Sequence, residues 1–374
     1  MSESRREKSN KRILLLANND VGLYRFRKDL IEALLNDGHE VCISLPYGDF
    51  IQELEKLGCK FIDTPIDRRG MNPIRDFGLF RKYLKLIKNQ KPDLVITYTI
   101  KPNIYGGIAC RMSKVPYAVN ITGLGSAIEN GGLLKKFVLA LYKPVLKKAK
   151  VIFFENSGNR DTLAAEGIVP AGKDVVLNGA GVNLDDYPSQ PYPAPEPINF
   201  LFVGRVMHEK GVDELFEAAG RMKQKFKDSV AFHIVGSFEE SYKAIMDELE
   251  AAGTVKYHGY QSDMKSFYAM AHCVVLPSYH EGMSNVLLEA AASGRPLITS
   301  DIPGCREAVE DGVSGFLCPA KDADALYTAM ERFVGLSYEE RAGMGACGRK
   351  LMAERFDKRI VVSKTVEKLM EVLQ

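Results

Sequence analysis

Two carboxylates separated by seven residues are the strongest sign of chemistry in the sequence. Glu281 and Glu289 follow the apolar run Cys273–Leu276, within the segment PSYHEGMSNVLLEAAASGRP. Eight steps of about 100° would leave them about 80° apart on one helix, so we place Glu281 in a loop and Glu289 near the second turn of the next helix. Ser284 is suited to cap that helix, and Gly282 permits close approach of a ligand.

The start of this helix is also a candidate anion site. We expect the backbone N–H groups of Met283, Ser284 and Asn285 to be unsatisfied, with the positive end of the helix dipole behind them. Phosphate groups bind at such helix starts. His280 precedes Glu281 directly. Its neighbours leave two interpretations open, a sugar contact or an ordinary packed or solvated side chain.

A second loop, FVGRVMHEKGV, follows the apolar run Ile198–Val203 and carries Gly204, Arg205 and Lys210. Two cations at the first turn of a doubly wound sheet are suited to a diphosphate, although such residues are also common as solvated surface charges. Two further turns are candidates for the same edge of the sheet, and they contain Gly236 and Tyr260.

Short apolar runs alternate with longer amphipathic stretches in two series, which predicts an α/β protein with two doubly wound parallel sheets. The segment between the series, YPSQPYPAPEP, holds five prolines in eleven residues and is expected to be an extended linker. These boundaries predict a first domain over residues 1–186, a linker over 187–197 and a second domain over 198–356. The docking site of a final helix, residues 357–374, is not evident from its spacing.

Composition narrows the class of protein. The 374 residues are 46% hydrophobic and carry a net charge of +2. The charges are unevenly distributed, because residues 1–150 contain 27 Lys and Arg against 15 Asp and Glu. This local excess of positive charge suggests an anionic partner for the first half. Seven scattered cysteines and a polar start without a signal sequence favour the cytoplasm. The histidines do not cluster with acids, so we expect neither a metal nor a cofactor.

Read together, these residues resemble the retaining family-4 nucleotide-sugar glycosyltransferases, the glycosyl transferases of group 1, which have the GT-B fold. The resemblance also rests on Asp301-Ile-Pro-Gly304 and on Asn178-Gly-Ala-Gly-Val-Asn183. It implies two Rossmann-like domains facing a cleft, with the final helix returning to the first domain. It also implies roles: Arg205 and Lys210 hold the donor diphosphate, Glu289 binds ribose, Glu281 contacts the transferred sugar, and Tyr260 borders the base.

The first domain supplies the candidate acceptor residues. The loop NNDVGLYRFR after the first strand contains Gly22, which is expected near the donor, and Arg25 and Arg27, which are expected near an anionic acceptor. This loop and TGLGS, with Thr122 and Gly123, are similar to the bacterial subgroup acting on undecaprenyl-diphosphate-linked sugars. Where relatives often have histidine, this chain reads TIKPN, so Lys101 and Asn103 complete the acceptor candidates. Solvated charges remain the alternative for the arginines and Lys101.

Residues 133–150, LLKKFVLALYKPVLKKAK, contain six lysines and no acid. Leu134, Phe137, Val138, Leu141 and Val145 would form one helical face and the lysines another, a pattern typical of helices lying on an anionic membrane. The alternative is a helix packed in the core with a solvated basic face.

The leading hypothesis is a retaining glycosyltransferase that moves a hexose or N-acetylhexosamine from a UDP-sugar to a polyprenyl-diphosphate-linked saccharide. It would be cytoplasmic and peripheral on the inner face of the membrane, and would bind no nucleic acid. A transferase with a soluble acceptor, a UDP-sugar epimerase and a non-enzymatic nucleotide-sugar sensor or scaffold remain alternatives. A dinucleotide oxidoreductase is disfavoured because Gly123-x-Gly125 lacks the third glycine of the dinucleotide fingerprint.

Overall fold

The computed structural model describes residues 10–67, 72–125, 128, 131–239 and 241–374. The chain divides into two compact units. The first ends at Ala180 and is completed by Arg359–Gln374, and the second is Gly181–Lys358. Each unit is built on its own parallel sheet, as the alternation of apolar runs and amphipathic stretches predicts.

The sheet of the first unit has seven strands in the order β3-β2-β1-β4-β5-β6-β7. Its strands are β1 (Arg12–Leu16), β2 (Glu40–Leu45), β3 (Lys60–Asp63), β4 (Leu94–Tyr98), β5 (Tyr117–Ile121), β6 (Val151–Phe154) and β7 (Asp174–Val176). The pairs are parallel, with Ile13 of β1 opposite both Val41 and Leu94. The central strands are buried on both faces, which explains their continuous apolar character.

Helices cover both faces of this sheet. The helices of the first unit are α1 (Asp20–Asn36), α2 (Ile51–Lys56), α3 (Pro73–Gln90), α4 (Gly107–Ser113), α5 (Gly132–Lys148), α6 (Ser157–Ala165) and α13 (Lys358–Leu373), whose first residue falls in the second unit. One core lies beneath α3, α4 and α5, and the other lies beneath α1, α2 and α13.

The second unit has six parallel strands in the order β10-β9-β8-β11-β12-β13. They are β8 (Ile198–Val203), β9 (Val230–Val235), β10 (Lys256–Tyr257), β11 (Cys273–Leu276), β12 (Leu297–Ser300) and β13 (Gly315–Cys318). The helices are α7 (Val212–Phe226), α8 (Lys243–Ala251), α9 (Lys265–Met270), α10 (Asn285–Ala292), α11 (Ala323–Val334) and α12 (Tyr338–Leu351). Two strands, β7 and β13, were not expected from the sequence.

The proline-rich segment 187–197 lies within the second unit, after the division at Ala180. Tyr192 donates its hydroxyl to the carbonyl of His272 at 2.9 Å, and Arg295 donates to the carbonyl of Pro191 at 2.8 Å. Prolines prevent a helix here, but they leave carbonyls and aromatic side chains free to attach the segment to the domain. The final helix α13 instead buries Val361 and Leu369 in the core of the first unit.

Two helices begin earlier than their apolar spacing predicts, because polar caps precede the first periodic residue. The spacing of apolar residues predicts helices over residues 27–36 and 77–89. Helix α1 instead begins at Asp20, and the Asn19 side chain accepts from the N–H of Gly22 at 2.6 Å. Helix α3 begins at Pro73 rather than Phe77, with Asn72 as its cap. Both are side-chain caps of the usual kind.

Helix α5 contains most of the segment predicted to lie on a membrane. Its apolar face is largely used by the core of its own unit, where Val138 and Val145 are buried. Phe137 is the one exposed residue of the predicted face. Leu133, which precedes that face in the sequence, is also exposed. The prediction that this apolar face meets a membrane is therefore wrong, since the sheet already covers it. No helix in the described ranges has the length and apolarity needed to cross a bilayer.

Candidate active site

Two loops meet at the carboxyl edge of the second sheet. Strands β8 and β11 are neighbours, so the loops that follow them, containing Lys210 and Glu281, emerge side by side. The Lys210 Nζ atom lies 2.5 Å from Glu281 Oε1. The Lys210 side chain is 18% exposed and the Glu281 side chain is 13% exposed. Of Arg205, Lys210 and Glu281, the three residues that the resemblance assigns to the catalytic charges, the structure thus brings Lys210 and Glu281 together.

Backbone contacts hold these loops in place. Gly211 ends the turn that carries Lys210 with a φ of 69°, and a Cβ atom there would lie 2.1 Å from the carbonyl oxygen of Pro277. The N–H of Tyr279 donates to the carbonyl of Glu209 at 2.9 Å. Only glycine permits this close approach at a positive φ, so the ion pair is built on a rigid base.

Ser278 adds a second donor to the same carboxylate, with its Oγ atom 2.9 Å from Glu281 Oε1. This contact is not predicted by the residue pattern, although Ser278 lies only three residues before Glu281. A carboxylate held by an ammonium and a hydroxyl is kept in one orientation. It can therefore present fixed negative charge to a ligand.

Helix α10 begins as predicted, with Ser284 as its cap accepting from Leu287. The Ser284 N–H, however, donates to the carbonyl of Gly304 at 2.9 Å, so the expectation that it is free for a phosphate is wrong. The turn of Gly304 lies close to Glu281, because a Cβ atom at Gly304 would lie 2.7 Å from the Glu281 carbonyl oxygen. Within the described residues, the N–H groups of Met283 and Asn285 have no acceptor.

Glu289 lies in the second turn of α10, half-buried, and accepts a 2.9 Å hydrogen bond from the hydroxyl of Tyr268. Burial, with Glu289 as a smaller cause, raises the pKa of Tyr268 well above its ordinary value. The phenol therefore stays protonated and remains a donor, which fixes the carboxylate in the way a ribose-binding group requires. Tyr268 could not be predicted as its partner from residue spacing, since it belongs to a different helix, α9.

The glycines at the ends of β8 and β9 have a packing role. Gly236 adopts a φ of 150°, and a Cβ atom there would lie 1.7 Å from the carbonyl oxygen of Gly204. Arg205 follows, with its Nη1 atom 3.6 Å from Glu239 Oε1 and 48% of its side chain exposed. Arg205 is therefore about half exposed and lies near Glu239, and the structure does not join it to the Lys210–Glu281 pair.

The remaining donor candidates of this unit differ in exposure. Tyr260 is 63% exposed and follows the β10 edge, and His280 is exposed beside Glu281. Gly282 is half-buried between Glu281 and the cap of α10. No group of three His, Cys, Asp or Glu side chains in the part of the chain that the structure describes is arranged to hold a metal ion.

His208 forms an ion pair in the loop of Lys210, with its Nδ1 atom 2.7 Å from Asp213 Oδ2. The hydrogen bond to Asp213 raises the pKa of His208 above its ordinary value near 6.5. The contribution of this pair to the stability of the folded protein is fully present at pH values below 6.5. It disappears as the pH rises through the raised pKa of His208. We expect an NMR titration of His208 to show the raised pKa, and Asp213→Asn to return it towards the ordinary value. An unchanged pKa in that variant would contradict the assignment.

The first unit places most acceptor candidates at the carboxyl edge of its sheet, but not as free groups. The N–H of Gly22 donates to Asn19, so this glycine belongs to the cap of α1. Arg25 is exposed and lies over the ring of Phe50 at 5.7 Å. Arg27 is buried and forms an ion pair with Glu155, which follows β6. The alternative of a solvated Arg27 is therefore wrong.

Lys101 and Asn103 are also held by neighbours. Lys101 Nζ lies 2.7 Å from Asp76 Oδ1, and both side chains are largely buried. The alternative that Lys101 is a solvated loop lysine is therefore wrong. Asn103 is 1% exposed and donates to the carbonyl of Asn120, so it does not reach the surface.

Thr122 and Gly123 are half-buried just after β5. The TGLGS turn ends at Ser126, which lies outside the described residues. Of the six acceptor candidates, Arg25, Thr122 and Gly123 are thus accessible, whereas Arg27, Lys101 and Asn103 are engaged.

Comparisons with known proteins agree with this arrangement. Residues 186–351 match the family of glycosyl transferases group 1, and residues 12–156 match the glycosyl transferase 4-like family. The chain is 30% identical to N,N'-diacetylbacillosaminyl-diphospho-undecaprenol alpha-1,3-N-acetylgalactosaminyltransferase of Campylobacter jejuni, over 84% of this chain and 87% of that protein. It is 27% identical to UDP-Gal:alpha-D-GlcNAc-diphosphoundecaprenol alpha-1,3-galactosyltransferase of Escherichia coli, over 83% and 84% of the two chains.

The fold has a solved counterpart in HepE of Anabaena, whose crystal structure was determined in complex with UDP and glucose. The TM-score is 0.80 over 97% of this chain and all of that chain, at 18% identity, which shows the shared fold. Together with the two parallel sheets and the paired loops of the second unit, these relationships establish the family. The chain belongs to the glycosyl transferases of group 1, with a family-4-like first domain and the GT-B fold.

Proposed function

We propose that this glycosyltransferase moves a hexose or N-acetylhexosamine from a UDP-sugar to a polyprenyl-diphosphate-linked saccharide, with retention of anomeric configuration. The observation that carries the proposal is the Lys210–Glu281 pair at the edge of the second sheet. Transfer leaves negative charge on the departing diphosphate and positive charge on the sugar. A fixed cation and a fixed carboxylate, side by side, are placed to stabilise these two developing charges.

The residues around the pair extend the same proposal. Arg205 offers a second, more exposed cation for the diphosphate, and Glu289 offers an oriented carboxylate for the ribose hydroxyls. Lys210 can keep one N–H on Glu281 and direct another to phosphate, because an ammonium has three donors. Two side-chain cations supply the charge that a metal ion would otherwise provide, so we propose metal-independent transfer without a cofactor.

The proposed acceptor rests on the relatives, whose names specify undecaprenol-linked diphosphate saccharides. Arg25, Thr122 and Gly123 are the accessible candidates of the first unit. Because such acceptors are anchored in a bilayer, we place the enzyme in the cytoplasm, peripheral on the inner face of the membrane. Polysaccharide or glycan synthesis is the corresponding process.

The decisive experiment offers a panel of UDP-, GDP- and ADP-sugars with a polyprenyl-diphosphate saccharide and follows nucleoside diphosphate release with and without EDTA. We expect release with a UDP-sugar only when the lipid acceptor is present, unaffected by EDTA, and a product with the anomeric configuration of the donor. Equal release with a soluble saccharide would reject the lipid acceptor. Sugar conversion without an acceptor would indicate an epimerase, and donor binding without turnover would indicate a sensor.

The role proposed for Glu289 is tested by Glu289→Gln. Loss of a charge-assisted hydrogen bond is expected to weaken UDP binding about 10- to 100-fold, measured by isothermal titration calorimetry. Glu248→Gln changes an exposed glutamate of α8 in the same way and should leave UDP affinity unchanged. Unaltered affinity in Glu289→Gln, with the control also unaltered, would remove Glu289 from the donor site.

A further inference from the structure

The positive charge of the first unit lies in one layer. Residues 1–76 carry 13 residues of each sign, whereas residues 77–150 carry 14 Lys and Arg against two acidic residues, Asp93 and Glu129. This second stretch supplies most of α3 and all of α4 and α5, which cover the same face of the sheet. The excess over residues 1–150 therefore arises entirely from one side of the unit.

Most of these cations form no ion pair within the described residues. Lys101 pairs with Asp76, and Lys135 pairs with Glu166. The other twelve are exposed and form no ion pair within the described ranges: Arg81, Lys82, Lys85, Lys88, Lys91, Arg111, Lys114, Lys136, Lys143, Lys147, Lys148 and Lys150. Unpaired like charges at this density repel one another. Such a surface is suited to an extended anionic partner.

Helix α3 carries a mixed stripe along its outer side. Ile74, Phe77, Arg81, Lys85 and Lys88 are all exposed, and their spacings of three, four, four and three residues align them on one face. Ile74 is 84% exposed and Phe77 is 58% exposed. The apolar residues occupy the first turns of the helix, and the cations occupy the rest.

Helix α5 also has exposed apolar residues in its first turns and exposed cations later in its length. Leu133 is 85% exposed and Phe137 is 59% exposed near its start, and Lys143 and Lys147 are exposed in its later turns. Both helices begin at the carboxyl edge of the sheet, as crossover helices of a doubly wound fold do. The exposed apolar side chains therefore cluster at the edge that holds the acceptor candidates, and the cations extend away from it.

Two basic pockets lie at the opposite ends of these helices. One, of about 720 Å³, is lined by Arg81, Lys85, Lys88 and Lys91. The other, of about 690 Å³, is lined by Arg111, Lys114, Lys148 and Lys150. Val115 lines both, and no acidic residue in the described ranges lines either.

We propose that the outer surface of α3, α4 and α5 is a membrane-docking face that lies flat on an anionic bilayer, with phospholipid phosphates seated in the two basic pockets. Ile74, Phe77, Leu133 and Phe137 enter the headgroup region, as apolar residues of interfacial helices do. The exposed lysines of α5 then meet the lipid together with Leu133 and Phe137, whereas Val138 and Val145 stay in the core of the unit. This inference rests on the proposed lipid-linked acceptor, since it brings the acceptor edge of the sheet to the surface where such a substrate is anchored.

The test measures co-sedimentation of the full chain with phosphatidylcholine vesicles that contain or lack phosphatidylglycerol. Binding is expected only with the anionic lipid, and it should weaken strongly between about 0.1 M and about 0.5 M NaCl. Equal binding to neutral vesicles, or binding that salt does not weaken, would overturn the proposal. This wild-type measurement does not depend on any variant folding.

Lys85→Glu/Lys88→Glu alters the first pocket. Each lysine near an anionic surface contributes about fivefold to binding, so the double variant is expected to bind anionic vesicles at least about 30-fold more weakly. The matched control is Lys56→Glu/Lys60→Glu, which changes two exposed lysines of α2 and β3 outside the layer. Arg111→Glu/Lys114→Glu is the corresponding change in the second pocket. Vesicle binding unaffected in both pocket variants would contradict the proposed face.

Activity separates this proposal from the acceptor proposal. With acceptor dissolved in detergent, Lys85→Glu/Lys88→Glu should turn over at the wild-type rate, and with acceptor in anionic vesicles it should be slower. Vesicle binding without any lipid-dependent turnover would reject the acceptor and keep the docking face. The reverse result, turnover on vesicles unaffected by the pocket variants, would reject the docking face alone.

Discussion

Replacing Lys210 with alanine is expected to lower kcat by about 100- to 1000-fold, the usual loss when one preorganised group that stabilises developing charge is removed. Lys210 contacts Glu281 directly, so the substitution removes the cation proposed for the diphosphate and releases the carboxylate proposed for the sugar. UDP also carries the diphosphate that Lys210 is proposed to hold, so UDP affinity should fall, but by less than kcat, because the effect on Glu281 and the sugar arises only in the transition state. Steady-state rates with saturating acceptor, together with UDP titration calorimetry, measure the two quantities separately.

Two further variants make the Lys210 result interpretable. Lys243→Ala removes an exposed lysine of the same unit that pairs with Asp247, and it should leave kcat unchanged. Lys210→Arg keeps the charge but changes the donor geometry, so its rate should lie between those of the wild type and Lys210→Ala. If kcat of Lys210→Ala stays within about fivefold of the wild type, Lys210 does not stabilise the leaving group.

The second large effect concerns stability rather than turnover. Arg27→Ala is expected to destabilise the first unit by about 3–5 kcal/mol, because it leaves Glu155 buried without its partner. Burial raises the pKa of Glu155, and Arg27 opposes that shift. Arg27 also lies 5.1 Å from the centre of the Tyr98 ring, which is buried. Hydrogen exchange read by mass spectrometry on peptides from β1 and β6 reports the stability of this unit by itself.

The double variant Arg27→Ala/Glu155→Ala tests the cause. Removing both charges together should cost less than the sum of the two single changes, since no isolated buried charge then remains. Arg12→Ala is the exposed comparison, because its pair with Glu40 is about two-fifths exposed and should contribute much less to stability than the buried Arg27–Glu155 pair. Additive losses in the double variant would show that Arg27 and Glu155 act independently.

Sequence reasoning predicted the elements well where burial determines residue type. The strand predicted over Ile198–Val203 has the same limits in the structure, because a parallel strand covered on both faces must be apolar throughout. The edge strand β7 has only three residues, all of them half-buried, and carries little of that signal. The starts of α1 and α3 were predicted late because a cap is a property of one polar side chain, which leaves no periodic pattern.

The loops that carry the candidate site were predicted from the sequence. The ion pairs that their side chains form were not. Glu281 and Lys210 were chosen for their loops, but their direct contact depends on the neighbouring positions of β8 and β11. The pairs Lys101–Asp76 and Arg27–Glu155 join residues far apart along the chain, so spacing contains no sign of them. Gly236 was predicted to approach a ligand. A glycine pattern cannot distinguish that role from the close contact with the Gly204 carbonyl that the structure shows.

The return of α13 to the first unit has a consequence for synthesis of the chain. One core of that unit, containing Ile13 and Leu15, is completed by Leu369, so part of its apolar surface stays uncovered until about 190 further residues have been made after Ala180. At translation rates of about 5–20 residues per second this delay is roughly 10–40 s. During that time the apolar residues that α13 later covers are exposed on the nascent chain. We therefore expect chaperones at the ribosome to bind the first unit before synthesis is complete.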